Sequence, residues 1–165
     1  MFILEPEESP RPGYAFVSGY GSANDYSDQI GSGWVDSIKI ALANAQCAAQ
    51  EIDYISAWGP GHREIDYKEA YSLKVAFGDL LESIPVSSIK GAVGSAMAAA
   101  GAMQVASAIL SLQRGVIPPT VNWETPDPGC PLSLSGSLRY MNITTALVNG
   151  HGISGSNSSL VLRKA

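Results

Sequence analysis

Asp66 and Glu69 stand three residues apart, a spacing that places two carboxylates on one helical face together with Ala70, Leu73 and Phe77. So apolar a face points inward. Two acids on a buried face repel each other and lose hydration, so either their protons are held more tightly or a cation sits beside them. Lys90, in the turn Ser88-Ile89-Lys90-Gly91 that follows a short β-type run, is the cation that the order of elements brings near. The alternative is that both acids mark a helix start, where the dipole favours negative charge.

The glycine-rich turn around Lys90 invites an anion-binding reading, since backbone amides at a helix N-terminus cradle negative groups. The nucleotide-binding pattern GxxxxGK[ST] is absent, and Gly-x-x-Gly-Ser alone is no dinucleotide fingerprint. Ser95 at a helix start reads as an N-cap before it reads as a nucleophile. His62 and His151, the chain's two histidines, are the side chains suited to proton transfer near neutral pH. Both fall in glycine-containing loops, His62 after WGPG and His151 within NGHGISGSN, and neither has a Ser or Cys spaced to complete a triad. Each also reads simply as a solvated or hydrogen-bonded loop residue.

These residues need elements to hold them. Residues 14–22 read as a strand of aromatic and β-branched residues running into a glycine turn. Val35, Ile38, Leu42, Ala45 and Ala49 recur at helical steps over 33–50. Residues 51–59 fit a buried strand, 66–77 a helix and 84–88 a further strand. From Ser95 to Arg114 there is almost no charge among the small and aliphatic residues, which predicts a central helix enclosed on most sides. The proline-rich stretch 115–132 is an extended wrapping loop, and two last strands, 143–149 and 158–163, flank the glycine loop 149–157. Residues 1–13 read as a strand remnant, MFILE, and a charged proline-rich linker, with one domain over 14–165. The order β-α-β-α-β-α-loop-β-β predicts an α/β fold, a mixed five-stranded sheet layered with helices, its crossovers parallel and its last pair antiparallel.

Composition narrows the function. With 165 residues, 45% of them hydrophobic, a single globular domain with a core is expected. A net charge of −5 and ten scattered basic residues speak against nucleic acid as a partner. No apolar run reaches the ~18 residues of a spanning helix, and the first residues lack the basic start of a signal peptide, so the expected location is cytoplasmic, away from the membrane. Cys47 and Cys130 match no metal or disulfide spacing and are expected to be reduced thiols; no metal or cofactor is expected.

Four stretches carry a resemblance over nearly the whole chain: IDYISAWGPG followed by D-x-x-E, VSSIKGAVGSAMAAAG, GVIPPTVNWETPDPGC and ALVNGHGISGSNSSLVLRK. Together they resemble the C-terminal half of β-ketoacyl-acyl carrier protein synthases, the thiolase-fold condensing enzymes of fatty acid and polyketide synthesis. The resemblance implies half of a thiolase-like fold, with Asp66 and Glu69 matching the family's acidic pair and Lys90 its lysine. It puts Trp58 where the family carries a histidine that assists decarboxylation, and Ser95 where it carries a second. In the terminal glycine loop His151 and Ile153 stand at two phenylalanine positions, the second a gatekeeper, so that Trp58, His151 and Ile153 would line the pocket. The family's nucleophilic cysteine belongs to an N-terminal half that these residues do not include.

Decarboxylative condensation needs donors that stabilise an enolate, and Trp58 and Ser95 do not supply the imidazoles. The resemblance therefore points to the chain-length factors, noncatalytic partners of type II ketosynthases, and to a chain without condensing activity of its own. The expected partners are an N-terminal thiolase half or ketosynthase protein and, through that hetero-oligomer, an acyl carrier protein. Two other classes stay open: an active synthase or acyltransferase whose cysteine comes from a partner and in which His62 or His151 substitutes for a lost imidazole, and a binding module that inherited the fold.

Overall fold

A computed structural model describes residues 2–26 and 29–165. Its main sheet runs in the order β1 (Ala15–Asn24), β7 (Ser156–Lys164), β6 (Thr145–His151), β2 (Tyr54–Ser56), β3 (Val86–Ser87). The expected mixed five-stranded sheet is what forms. β2 is parallel to both β3 and β6, whereas β6, β7 and β1 are antiparallel neighbours. The parallel pairing expected after the first crossover is thus wrong for β1, which crosses to the far edge. Its ten residues find a nine-residue partner in β7, where β2 offers only three.

Side-chain alternation along β6 and β7 divides the core in two. Leu147 and Val161 face α1 (Trp34–Asn44) and α2 (Arg63–Phe77), packing with Ile38, Ala41, Leu73 and Phe77. Ala146, Val148 and Leu162 face α4 (Ala100–Arg114), packing with Ala108 and Leu112. Glycine lets α1 lie so close to β1: a Cβ at Gly21 would stand 1.9 Å from the Ser37 carbonyl oxygen, and one at Gly19 2.2 Å from that of Ala41.

Several element bounds differ from the sequence reading. α2 begins at Arg63, three residues early, which puts Asp66 in its first turn. The near-chargeless segment 95–114 divides into a short 3₁₀ turn, Met97–Ala99, and α4. Nor is that helix enclosed on most sides. One sheet face covers one stripe, Ala100, Gln104, Ala108, Ser111 and Leu112, while Met103 (36% exposed) and Leu110 (50%) face outward. The last strands run further than expected and meet in a turn at 152–155, so His151 ends a strand instead of riding a loop. The proline-rich loop contains β4 (Val116–Ile117), paired with β5 (Arg139–Tyr140), and then runs beside β3, where the Val86 amide donates to the Ser133 carbonyl. Phe2–Glu5 form no strand; Ile3 and Leu4 are exposed. Among the described residues no helix is long and apolar enough to cross a membrane.

Candidate functional site

Strands β2, β3 and β6 end side by side, and their last residues deliver the polar groups. Beyond β2 come Ala57, Trp58 and Gly59; beyond β3 come Ser88 and the one-turn helix α3 (Lys90–Val93); β6 brings Asn149 and His151. Glu69 reaches in from α2 and Gln104 from α4.

Glu69, 2% exposed, accepts the Trp58 amide on Oε1 and the Gly59 amide on Oε2, each at 2.9 Å. Asn149 Nδ2 donates to Oε1 at 3.2 Å, and Asn149 Oδ1 accepts from Ser159 Oγ at 2.9 Å. Burial raises the Glu69 carboxyl above the usual carboxylate range, and the donors and the Lys90 charge offset part of that. Lys90, 7% exposed, donates Nζ to the Trp58 carbonyl and to Gln104 Oε1 at 3.1 Å. Burial pulls its ammonium down to about 8 against the attraction of Glu69 and Asp66.

The cation expected beside the acids is therefore present, but it reaches Glu69 through the backbone. Among the described residues no ion pair joins Lys90 to Glu69 or Asp66. Lys90 and Glu69 grip the peptide between Trp58 and Gly59 from its two ends. Asp66 departs from its partner in burial: only half-buried, it lines a cleft of about 420 Å³ that also contains Glu69, Lys90, Ser88, Thr120 and Cys130. Its Oδ1 is shielded from solvent without a hydrogen bond, and desolvation raises its pKa.

Trp58, Trp34 and His151 form an aromatic group on another side of that peptide. Ring centroids lie 6.2 Å apart for the two indoles, 5.1 Å for Trp34 and His151, and 5.2 Å for Trp58 and His151 in an edge-on contact. The Lys90 ammonium is 5.3 Å from the Trp58 ring centre, so the indole has the cation on one side and the imidazole on another.

The remaining candidates lie apart. His62 is exposed at the N-cap of α2 and lines an outer groove with Tyr67 and Asp127. Ser95 is exposed between α3 and the 3₁₀ turn, and Ile153, 86% exposed, sits in the β6–β7 turn. Cys47 is buried beneath α1 and Cys130 lies in the proline-rich loop; burial raises both thiols, which opposes a thiolate nucleophile.

Sequence reasoning missed Gln104, Asn149 and Asn157. Gln104 Nε2 donates to the carbonyls of Ala57 at 2.8 Å and Asn149 at 3.1 Å, tying the ends of β2 and β6 to Lys90. Its signal was there: between Ser95 and Ser111 it is the only residue with a large polar side chain.

A protein family described as "Beta-ketoacyl synthase, C-terminal domain" matches residues 13–124. Over the full chain, 36% of residues are identical to "Actinorhodin polyketide putative beta-ketoacyl synthase 1" of Streptomyces coelicolor, covering 38% of that protein. A 34% identity over 92% of the chain links it to "3-oxoacyl-[acyl-carrier-protein] synthase 2" of Coxiella burnetii, again covering 38%. Among solved structures, a type II polyketide synthase acyl-carrier protein in complex with its ketosynthase, bound to the hexaketide, matches 92% of the chain at 33% identity and TM-score 0.87, over 39% of the matched chain. The ishigamide ketosynthase/chain length factor matches the same share at 29% identity and TM-score 0.87, over 38%. The chain thus spans about two-fifths of the length of these relatives.

Proposed function

Since this chain belongs to the β-ketoacyl synthase family, matching its C-terminal domain, we propose that it acts without condensing activity of its own, as a chain-length-factor-like subunit that shapes an acyl-chain pocket in a type II synthase. The observation that carries this reading is the position of Trp58. Its indole lies over the Lys90 ammonium, where the family resemblance puts an imidazole. An indole N–H can donate a hydrogen bond but does not ionise near neutral pH and accepts none, so it cannot serve as acid and base by turns. Ser95, the other replaced position, is exposed and makes no hydrogen bond among the described residues.

The proposed partner is a cytoplasmic ketosynthase that supplies the nucleophilic cysteine and docks the acyl carrier protein. Support comes from the outward apolar side chains Met97, Met103 and Leu110 of the α4 region, a surface of the kind that seeks cover. Polyketide rather than fatty acid chemistry is favoured by the polyketide ketosynthases among its relatives.

A second reading keeps the chain as an active synthase subunit, and the contact of His151 with Trp58 favours it over any use of His62. Carbon dioxide release from malonyl-carrier by the assembled complex separates the two. We expect His151→Gln and His62→Ala to leave turnover within about threefold, because no proton passes through either residue; a loss of about a hundredfold, the scale of a missing general acid or base, would overturn the noncatalytic reading.

A further inference from the structure

Asn157 is fully buried in β7, and its side-chain nitrogen is surrounded by acceptors. Nδ2 donates to Asp25 Oδ1 at 2.7 Å and lies 3.4 Å from the carbonyl oxygens of Ala23 and Gly155. Burial alone would raise the Asp25 carboxyl, but the hydrogen bonds from Asn157 and from the Gly31 and Gly33 amides reverse this and hold it below the usual range, hence ionised. None of the three neighbours has a proton to give. The amide therefore has one orientation, and its Oδ1 is what meets His151 Nδ1 at 3.0 Å. An amide oxygen only accepts, so Nδ1 carries a proton, and in the neutral imidazole this tautomer leaves the lone pair on Nε2.

Among the described residues Nε2 has no hydrogen-bond partner. The ring packs against Trp34 and Trp58, and the Trp34 indole N–H is already donated to the Gly150 carbonyl at 3.3 Å. A single oriented acceptor thus stands among aromatic walls. Such a surface fits an apolar ligand that carries one polar hydrogen.

We propose that His151 is a specificity-determining residue whose Nε2, oriented by Asn157 and Asp25, accepts a hydrogen bond from a hydroxyl or enol on an otherwise apolar acyl chain lying against Trp58. The assignment rests on the reading that this site faces an acyl chain. His151 is here a binding group, and Asn157 and Asp25 are positioning residues.

The test is calorimetric titration of the assembled protein with two probes, the N-acetylcysteamine thioesters of octanoic and 3-hydroxyoctanoic acid. The hydroxylated probe should bind about fivefold more tightly, the scale of one neutral hydrogen bond. His151→Gln, whose amide oxygen can take the place of Nε2, should keep the preference, His151→Phe should erase it while still binding octanoyl thioester, and Asp25→Asn should reduce it. Equal binding of both probes by the unaltered protein, or a preference that survives in His151→Phe, overturns the inference and leaves the acyl-chain reading standing. Failure of both probes to bind overturns that reading and the inference with it.

Discussion

Glu69 and Lys90 hold opposite ends of one peptide group: the carboxylate accepts the Gly59 N–H at 2.9 Å, and the ammonium donates to the Trp58 carbonyl. The peptide dipole lies between the two charges with its positive end toward the carboxylate. Each charge is thus compensated without the direct contact that would fix both side chains to one another.

Removal of the Glu69 side chain should be costly. Glu69→Ala leaves the Trp58 and Gly59 amides without their acceptor and Lys90 without its counter-charge, and we expect a loss of about 3 to 5 kcal/mol of unfolding free energy. Urea unfolding of the variant against the unaltered protein checks this. A loss below about 1 kcal/mol would mean that solvent replaces the carboxylate at once.

Lys90 should make stability depend on pH above neutrality. In the unfolded chain its ammonium keeps the proton up to about 10.5, whereas in the fold the proton leaves near 8. Between those values the unfolded state binds more protons, so Lys90 adds stability as pH rises from about 8 toward 10.5, and its buried charge is a burden below that window. Unfolding midpoints over this range should show the rise in the unaltered protein relative to Lys90→Met, in which the titrating amine is gone.

Gln104→Met keeps the volume of the side chain and removes its amide. The carbonyls of Ala57 and Asn149 then lose a buried donor and Lys90 loses one of its two acceptors, at a cost of about 2 kcal/mol or more. Equilibrium unfolding gives the magnitude. Because Ala57 adjoins Trp58 and Lys90 donates to the Trp58 carbonyl, tryptophan fluorescence should also shift, a change that a substitution on the outward face, such as Leu110→Met, should not produce.

Two glycine substitutions should move stability in opposite directions. Gly21→Ala forces a Cβ into the backbone of α1 and should cost about 3 kcal/mol, whereas a Cβ at Gly101 meets nothing within 4 Å and Gly101→Ala should gain about 0.5 kcal/mol of helix stability. Thermal unfolding resolves both signs.

The layered α/β fold could be read from the order of periodic segments, because α1 and α2 show helical spacing of apolar residues and short aliphatic or aromatic runs alternate with them. What could not be read was which strand β1 would choose. That depends on ladder length and on the approach of α1, neither of which is a local property of residues 15–24. The one-sided burial of α4 was hidden for a related reason: Ala, Gly and Met tolerate either environment, so periodicity gives no stripe. In the site, Asp66, Glu69, Lys90, Trp58 and His151 were marked by residue type and resemblance. Gln104, Asn149 and Asn157 act by bonding backbone and side chains from distant elements, and only the fold brings those groups within reach.

The hydrogen bonds of the clamp on the 58–59 peptide reach main-chain atoms alone at that position. Whatever stands at residue 58 can be exchanged while its carbonyl and amide stay held by Lys90 and Glu69. A scaffold built this way keeps its shape while the side chain it displays is rewritten, so a change of role at this position demands no rebuilding of the frame beneath it.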